Sequence, residues 1–180
     1  YGLRQWDKTD FDYEDDDIYG ERLYAIKYEK LGGRRYYRAP NERDMENEAM
    51  VKRIVKENIV AWQEQGLVPT MKIESGMETE RLFKERGWTH WNHLFNARQL
   101  LVLAFLNKEI HATAKTLSNL VIGILNLNRC LNFNSRFCRW RNSSDTEHNT
   151  DTFYNQALNT LFNYGARPLY DLKDTFCTNF

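Results

Sequence analysis

The chain has 180 residues, 42% of them hydrophobic and 28% charged, and its 25 basic and 25 acidic side chains cancel to a formal charge of zero. That length supports one domain with a core of its own but is short for two. The mean hydropathy of -0.71 and a longest apolar run of only Leu100 to Leu106 exclude an integral membrane protein, because each helical span needs about 20 apolar residues. A zero balance also excludes polyanion binding through the whole field, so any nucleic-acid contact must come from a local patch.

The sequence opens on Tyr1-Gly2-Leu3, without an initiator Met or a secretory leader, which predicts a segment cut from a larger, soluble, cytoplasmic protein. Asp7, Asp10, Asp12, Glu14, Asp15, Asp16 and Asp17 follow, opposed only by Lys8. Residues 1–19 are therefore expected to form a solvated acidic leader, and residues 20–180 a single mainly helical domain. The spacing Asp10, Asp12, Glu14, Asp16 lacks the glycine and the distal glutamate of an EF-hand loop.

From Arg22 to Glu29 the residues alternate with Tyr24, Ile26 and Tyr28 on one face. Lys30-Leu31-Gly32-Gly33 then offers a turn, and Arg34 to Ala39 repeats the aromatic pattern; together these predict a β-hairpin. After Pro40, the pair Asn41 and Asp44 approximates a capping box for a long helix that reaches Gln65 and stops at Gly66. Val51, Val55, Ile59 and Trp62 form its apolar stripe, with Lys52, Arg53, Lys56 and Glu57 on the wet side.

Pro69, Gly76 and Gly87 mark Leu67 to Gly87 as a connector with one helical turn near Glu80 to Lys84. Asn96 is the expected N-cap of a central helix through Leu100 to Leu106. Leu117, Leu120, Val121, Ile124 and Leu125 define another helix ending near Leu131, and Ser135 to Trp140 reads as extended. After a polar loop from Asn142 to Thr150, the spacing of Tyr154, Ala157, Leu158, Leu161 and Phe162 predicts a last helix terminated by Gly165 and Pro168. The fold class is thus mainly α (α+β): a bundle of about four helices with an N-terminal hairpin.

Cys130, Cys138 and Cys177 are odd in number and form no Cys-x-x-Cys pair, which predicts reduced thiols. His90 and His93 could share a helical face, but no second pair of ligands stands at compatible spacing, so no metal site is expected in this segment.

Two stretches go beyond pattern. Gly66-Leu67-Val68-Pro69 with Arg86-Gly87-Trp88-Thr89-His90-Trp91-Asn92-His93-Leu94-Phe95-Asn96-Ala97-Arg98-Gln99-Leu100-Leu101, and Phe153-Tyr154-Asn155-Gln156-Ala157-Leu158-Asn159-Thr160-Leu161-Phe162-Asn163-Tyr164-Gly165-Ala166-Arg167-Pro168, resemble the middle region of the adenine-specific DNA methylases that contain a zinc ribbon. The likeness extends from about Gly20 to Phe176, with Asn92 where the pattern leads one to expect another histidine. The resemblance implies an internal accessory or target-recognition region of an S-adenosylmethionine-dependent DNA methyltransferase, within a restriction-modification or phage-defence setting. It also implies that the partners are DNA and the remaining catalytic lobe.

In that family the region lies between a Gly-rich methyl-donor loop and an Asp-Pro-Pro-Tyr type motif. Pro40, Pro69 and Pro168 are the only prolines, none followed by another, so the grip on a flipped adenine is missing. Gly32-Gly33 falls between two strands and not in a strand-to-helix donor loop. No catalytic residue is assigned; S-adenosylmethionine and zinc are expected elsewhere in the whole protein.

Three constellations remain as candidate nucleic-acid contacts. Arg35 and Arg38, within Arg34-Arg35-Tyr36-Tyr37-Arg38, and Arg136, Arg139 and Arg141, within Arg136-Phe137-Cys138-Arg139-Trp140-Arg141, interleave cations for phosphates with rings for stacking; equally, they read as amphipathic strands with solvated arginines. Trp88, His90, Trp91 and His93, followed by Arg98, suit either a wall near DNA or aromatic packing at a loop-to-helix junction. Asn155, Asn159 and Asn163 would form a row on the last helix, where an amide can pair with adenine or tie the helix to a neighbour. The alternative function is a structural protein-interaction module with no direct DNA contact.

Overall fold

The computed structural model describes residues 23–30, 35–77, 79–142, 147–154, 157–158 and 165–167. The acidic leader, the glycine turn of the hairpin and Cys177 lie outside the described residues. Four α-helices and three short antiparallel strand pairs make up the described structure, which is mainly α with an N-terminal β-hairpin. The chain divides into two compact units, Tyr1–Met50 with Met71–Trp91, and Val51–Thr70 with Asn92–Phe180.

In the first unit, β1 (Ile26–Glu29) pairs with β2 (Arg35–Arg38) in the register Ile26↔Arg38 and Tyr28↔Tyr36 on one face, Lys27↔Tyr37 and Glu29↔Arg35 on the other. Helix α1 (Glu42–Glu64) begins here with a full capping box: the Asn41 N–H donates to Asp44 Oδ2 and the Asp44 N–H donates to Asn41 Oδ1, each at 2.9 Å. Two orphan donors are thereby satisfied, an arrangement worth about 1 kcal/mol.

The stretch expected to be a mere connector has buried side chains of its own. Ile73 and Leu82, and Trp88 just beyond its end, are at most 5% exposed, and α2 (Thr79–Arg86) is two turns long. Ile73 N–H donates to Thr89 O at 2.9 Å and Trp91 N–H to Met71 O at 3.1 Å, around the bridge Lys72↔His90. Gly87, with φ of +61°, closes α2 in a conformation that side-chain-bearing residues avoid.

In the second unit, α1 ends in a Schellman motif at Gly66, whose φ is +71°. Gly66 N–H donates to Gln63 O at 3.0 Å and Leu67 N–H to Trp62 O at 2.8 Å, which satisfies carbonyls that the helix end would otherwise leave open. The turn is also held from outside, because Asn107 Nδ2 donates to the carbonyls of Gly66 and Leu67 at 3.4 and 3.2 Å. Val55, Trp62, Val68 and Ala104 form one buried cluster with Ile59, Leu67, Leu100 and Leu101 packed against it.

Helix α3 (Ala97–Thr113) starts at Asn96, whose side chain accepts from Gln99 N–H while Gln99 Oε1 accepts from Asn96 N–H. A short connection leads into α4 (Leu117–Phe133), and Leu103, Ile110, Leu127 and Cys130 form the shared core. The helices pack closely at Gly123, where an added Cβ would lie 2.6 Å from Ile110 Cγ2.

After α4 the chain departs from expectation. Phe153–Tyr154 (β5) pairs with Ala157–Leu158 (β6), following the pair β3 (Trp140–Asn142) and β4 (Glu147–Asn149), so the predicted last helix does not form across Tyr154 to Leu158. At its start Thr152 N–H and Phe153 N–H both donate to Asn132 Oδ1 at 3.1 Å, which anchors the chain entering β5, and an aromatic pair suits a strand while asparagine has poor helix propensity. Ser135 to Trp140 likewise turns first and becomes a strand only at Trp140.

Candidate functional site

On the hairpin of the first unit, the rings of Tyr28 and Tyr36 stack at 5.2 Å with 14° between planes. Arg38 lies 5.1 Å from the centre of Tyr28 and Lys30 lies 5.6 Å from that of Tyr36, so cation, ring, ring and cation form a ladder. Arg38 also donates to Tyr28 Oη at 2.9 Å and to Asp44 Oδ2 at 3.3 Å, and Arg35 Nε stands 4.0 Å from Glu29. These arginines are therefore engaged within the unit, and Tyr28 and Tyr36 are already in contact with cations and each other. Tyr37, 53% exposed, is on the opposite face.

Trp88 is only 4% exposed and belongs to the core, which removes it from any surface wall. His90 Nδ1 is 2.8 Å from Thr89 Oγ1, and Trp91 opens a 3-10 turn, Trp91–Leu94, that ends beyond His93. His90 and Trp91 fall in the first unit, His93 and Arg98 in the second. An open depression at the start of α1, lined by Pro40, Asn41, Glu42, Met45, Glu46 and Ala49, holds two carboxylates but no nucleophile.

In the second unit the arginines of the Arg136 to Arg141 stretch divide by role. Arg136 donates through Nη1 to His93 O at 2.8 Å, while its own N–H reaches Leu94 O at 2.8 Å; this contact joins two predicted groups. Arg139 is 3.6 Å from Asp151 and its carbonyl accepts from Thr150 N–H at 2.7 Å. Phe137 is fully buried. Only Trp140, 44% exposed, and the exposed Arg141 present a ring and a cation to solvent. Arg98, half-buried, is in the first turn of α3. Asn155, Asn159 and Asn163 lie outside the described residues, and the helical row assumed for them is broken by the strand at Ala157–Leu158.

Two features escaped the sequence. The first is a buried polar node. Cys138 Sγ is 3.6 Å from both Asn132 O and Thr152 Oγ1, Ser135 Oγ is 2.6 Å from Thr152 Oγ1, and Asn134 Oδ1 accepts from Arg167 N–H at 2.9 Å and from Gln99 Nε2 at 3.4 Å. Arg167 also donates to Asn149 O and lies 5.1 Å from the Phe133 ring. The run Asn132-Phe133-Asn134-Ser135 was its only advance signal. This donor set does not suit zinc, since the Cys138 sulfur is enclosed by hydroxyls and a carbonyl; among the described residues no three His, Cys, Asp or Glu side chains group for a metal.

The second is the outer face of α4. Its buried residues are Gly123, Asn126, Leu127 and Cys130. Much of the stripe expected to be buried instead faces outward: Leu117 is 76% exposed, Leu125 61%, Val121 49% and the neighbouring Ile122 41%. From Leu117 to Asn128 the helix carries no charged residue. Contiguous exposed apolar rows of this kind mark interaction surfaces. Against known protein families, curated proteins and solved structures, the chain matches none.

Proposed function

We propose that this chain is a protein-interaction module, docking through the outer face of α4, and that its setting is the DNA adenine methylase its sequence resembles. The observation that carries the docking reading is the uncharged row Leu117, Val121 and Leu125. Burying such side chains is favourable by about 1.5–3 kcal/mol when complete. By contrast, Arg35, Arg38, Arg136 and Arg139 have partners inside their own units, and withdrawing them toward phosphates would break those contacts. Within a methylase the region supports assembly, while donor binding, zinc and methyl transfer belong to other segments. No helix of the described residues is long and apolar enough to cross a membrane.

The test is Leu117→Lys with Leu125→Lys in the methylase that carries this region. Folding, followed by circular dichroism, should be unchanged because both positions are exposed, and methylation should fall at least about tenfold, the loss of one modest contact. Undiminished methylation by a folded variant would sink the reading. A second reading, direct DNA contact, is favoured by the exposed Trp140 and Arg141 on β3. It requires that Arg141→Ala lower DNA affinity for all sequences and reduce the salt slope by about one unit.

A further inference from the structure

We propose that the segment Gly165 to Arg167 is the resident occupant of a peptide slot, and that this slot recognises an extended, arginine-bearing segment of a partner protein; the proposal is independent of the docking reading. Gly165 O accepts from Gln99 Nε2 at 3.3 Å and from Asn149 Nδ2, and Arg167 N–H donates to Asn134 Oδ1 at 2.9 Å. Main-chain groups of the segment are thus held by side-chain amides, and bonds to the main chain bind an extended peptide whatever its side chains. Selectivity comes from the arginine. Its Nε and Nη2 both donate to Asn149 O, and its guanidinium lies 5.1 Å from the centre of the Phe133 ring. Two donors on one carbonyl, with an aromatic ring alongside, suit the planar fork of arginine and not the point charge of lysine. Ala166, between the two held residues, is exposed. The pattern read is therefore a carbonyl, any residue, and an arginine.

The amides are set in place by contacts other than the segment. Gln99 Oε1 accepts from Asn96 N–H in the capping box of α3, Asn134 caps α4 through its own N–H to Leu131 O, and Asn149 pairs with Trp140 between β3 and β4. With the segment seated, Gln99, Asn134 and Asn149 are at most 2% exposed, and amides so deeply buried require partners. A slot with this fixed arrangement calls for an occupant that offers a carbonyl, an N–H and a guanidinium in that order. A segment of the same chain presents itself at an effective concentration on the order of millimolar. The strap from Gly165 to Arg167 accordingly acts as a built-in competitor, which a partner's arginine segment must displace.

The probe is a fluorescein-labelled peptide with the sequence of residues 164–169, Tyr-Gly-Ala-Arg-Pro-Leu, titrated by anisotropy against the full chain. The parent strap should hold its binding weak. Arg167→Ala loosens the strap and should tighten peptide binding about tenfold, the effect of losing one charge-assisted hydrogen bond. Cleavage at a protease site inserted between Asn163 and Tyr164 frees the strap from its tether and should also admit the peptide. A peptide with lysine in place of the arginine should bind the cut chain about tenfold less well. Cut and substituted chains that keep the parent's circular dichroism yet take up no peptide at about 1 mM, or take up both peptides alike, overturn the proposal. Loss of the fold on cleavage or substitution overturns it as well, because the segment would then be part of the core and not a guest.

Discussion

Arg136 and Arg141 lie on one short arginine-rich stretch, but Arg136 is tied through its guanidinium to His93 O at 2.8 Å whereas Arg141 is exposed on β3. A hydrogen bond from a charged group contributes about 1.5–3 kcal/mol, and removing it here leaves a half-buried carbonyl without that donor. Arg136→Ala should therefore lower unfolding free energy by about 2 kcal/mol in urea titration, while Arg141→Ala stays within roughly 0.5 kcal/mol of the parent. Equal effects would contradict the division of roles. Asn132 offers a sharper case, since its Oδ1 accepts from two backbone N–H groups, at 3.1 Å each. Asn132→Ala should cost about 2 kcal/mol, and Asn132→Asp, which keeps the acceptor, clearly less. An Asp variant as unstable as the Ala variant would mean that the amide acts through some other contact.

At the scale of elements, what could be read from the sequence was whatever local chemistry determines. Asn41 with Asp44, Gly66, and Asn96 announced the start and stop of α1 and the start of α3, because caps are satisfied by residues three or four away. The hairpin likewise followed from alternation. Two things were decided by distant partners and were not legible. Tyr154 carries a helical spacing with Leu158, but Phe153–Tyr154 pairs as a strand with Ala157–Leu158 and is anchored by Asn132, 21 residues before Phe153. In α4 the helix itself was evident, but a helix apolar nearly all round does not say which side is buried. The close approach of Gly123 to Ile110 decides it, so that Val121 and Leu125 turn outward. The candidate site was legible as exposed chemistry at Trp140 and Arg141 and at Tyr37 and Arg38 of the hairpin but not at Trp88, Phe137 or Arg136, since arginine and aromatic residues look alike in sequence whether they serve a ligand or a core.

That close approach yields a prediction about the helix pair. Gly123→Ala gains up to about 1 kcal/mol of helix propensity but brings a methyl to 2.6 Å from Ile110 Cγ2, and overpacking of this kind costs about 1–3 kcal/mol. The net effect should be a loss of roughly 1 kcal/mol. In an Ile110→Ala background the clash is gone, so the same Gly123→Ala should stabilise the chain. A double-mutant cycle in urea reads the coupling directly, and additive effects would show that the helices are not held at this spacing.

At the scale of the whole molecule, the balance of 25 basic and 25 acidic residues makes salt the discriminating variable between an apolar contact and a phosphate contact. A phosphate-bound surface releases counterions, so its affinity falls steeply as salt rises. An uncharged row such as Leu117, Val121 and Leu125 has nothing for salt to screen, and kosmotropic anions strengthen burial by their exclusion from the protein surface. Docking of the chain through this row should accordingly be nearly constant from about 0.05 to 0.5 M sodium chloride, a range over which the Debye length shrinks about threefold, and should tighten in sodium sulfate. Measured in parallel by fluorescence anisotropy, any binding to duplex or single-stranded DNA should disappear over the same range. Association that instead falls with sodium chloride, or DNA binding that survives it, would transfer the functional surface from α4 to the arginines, because only a contact made by charges responds to salt in that way.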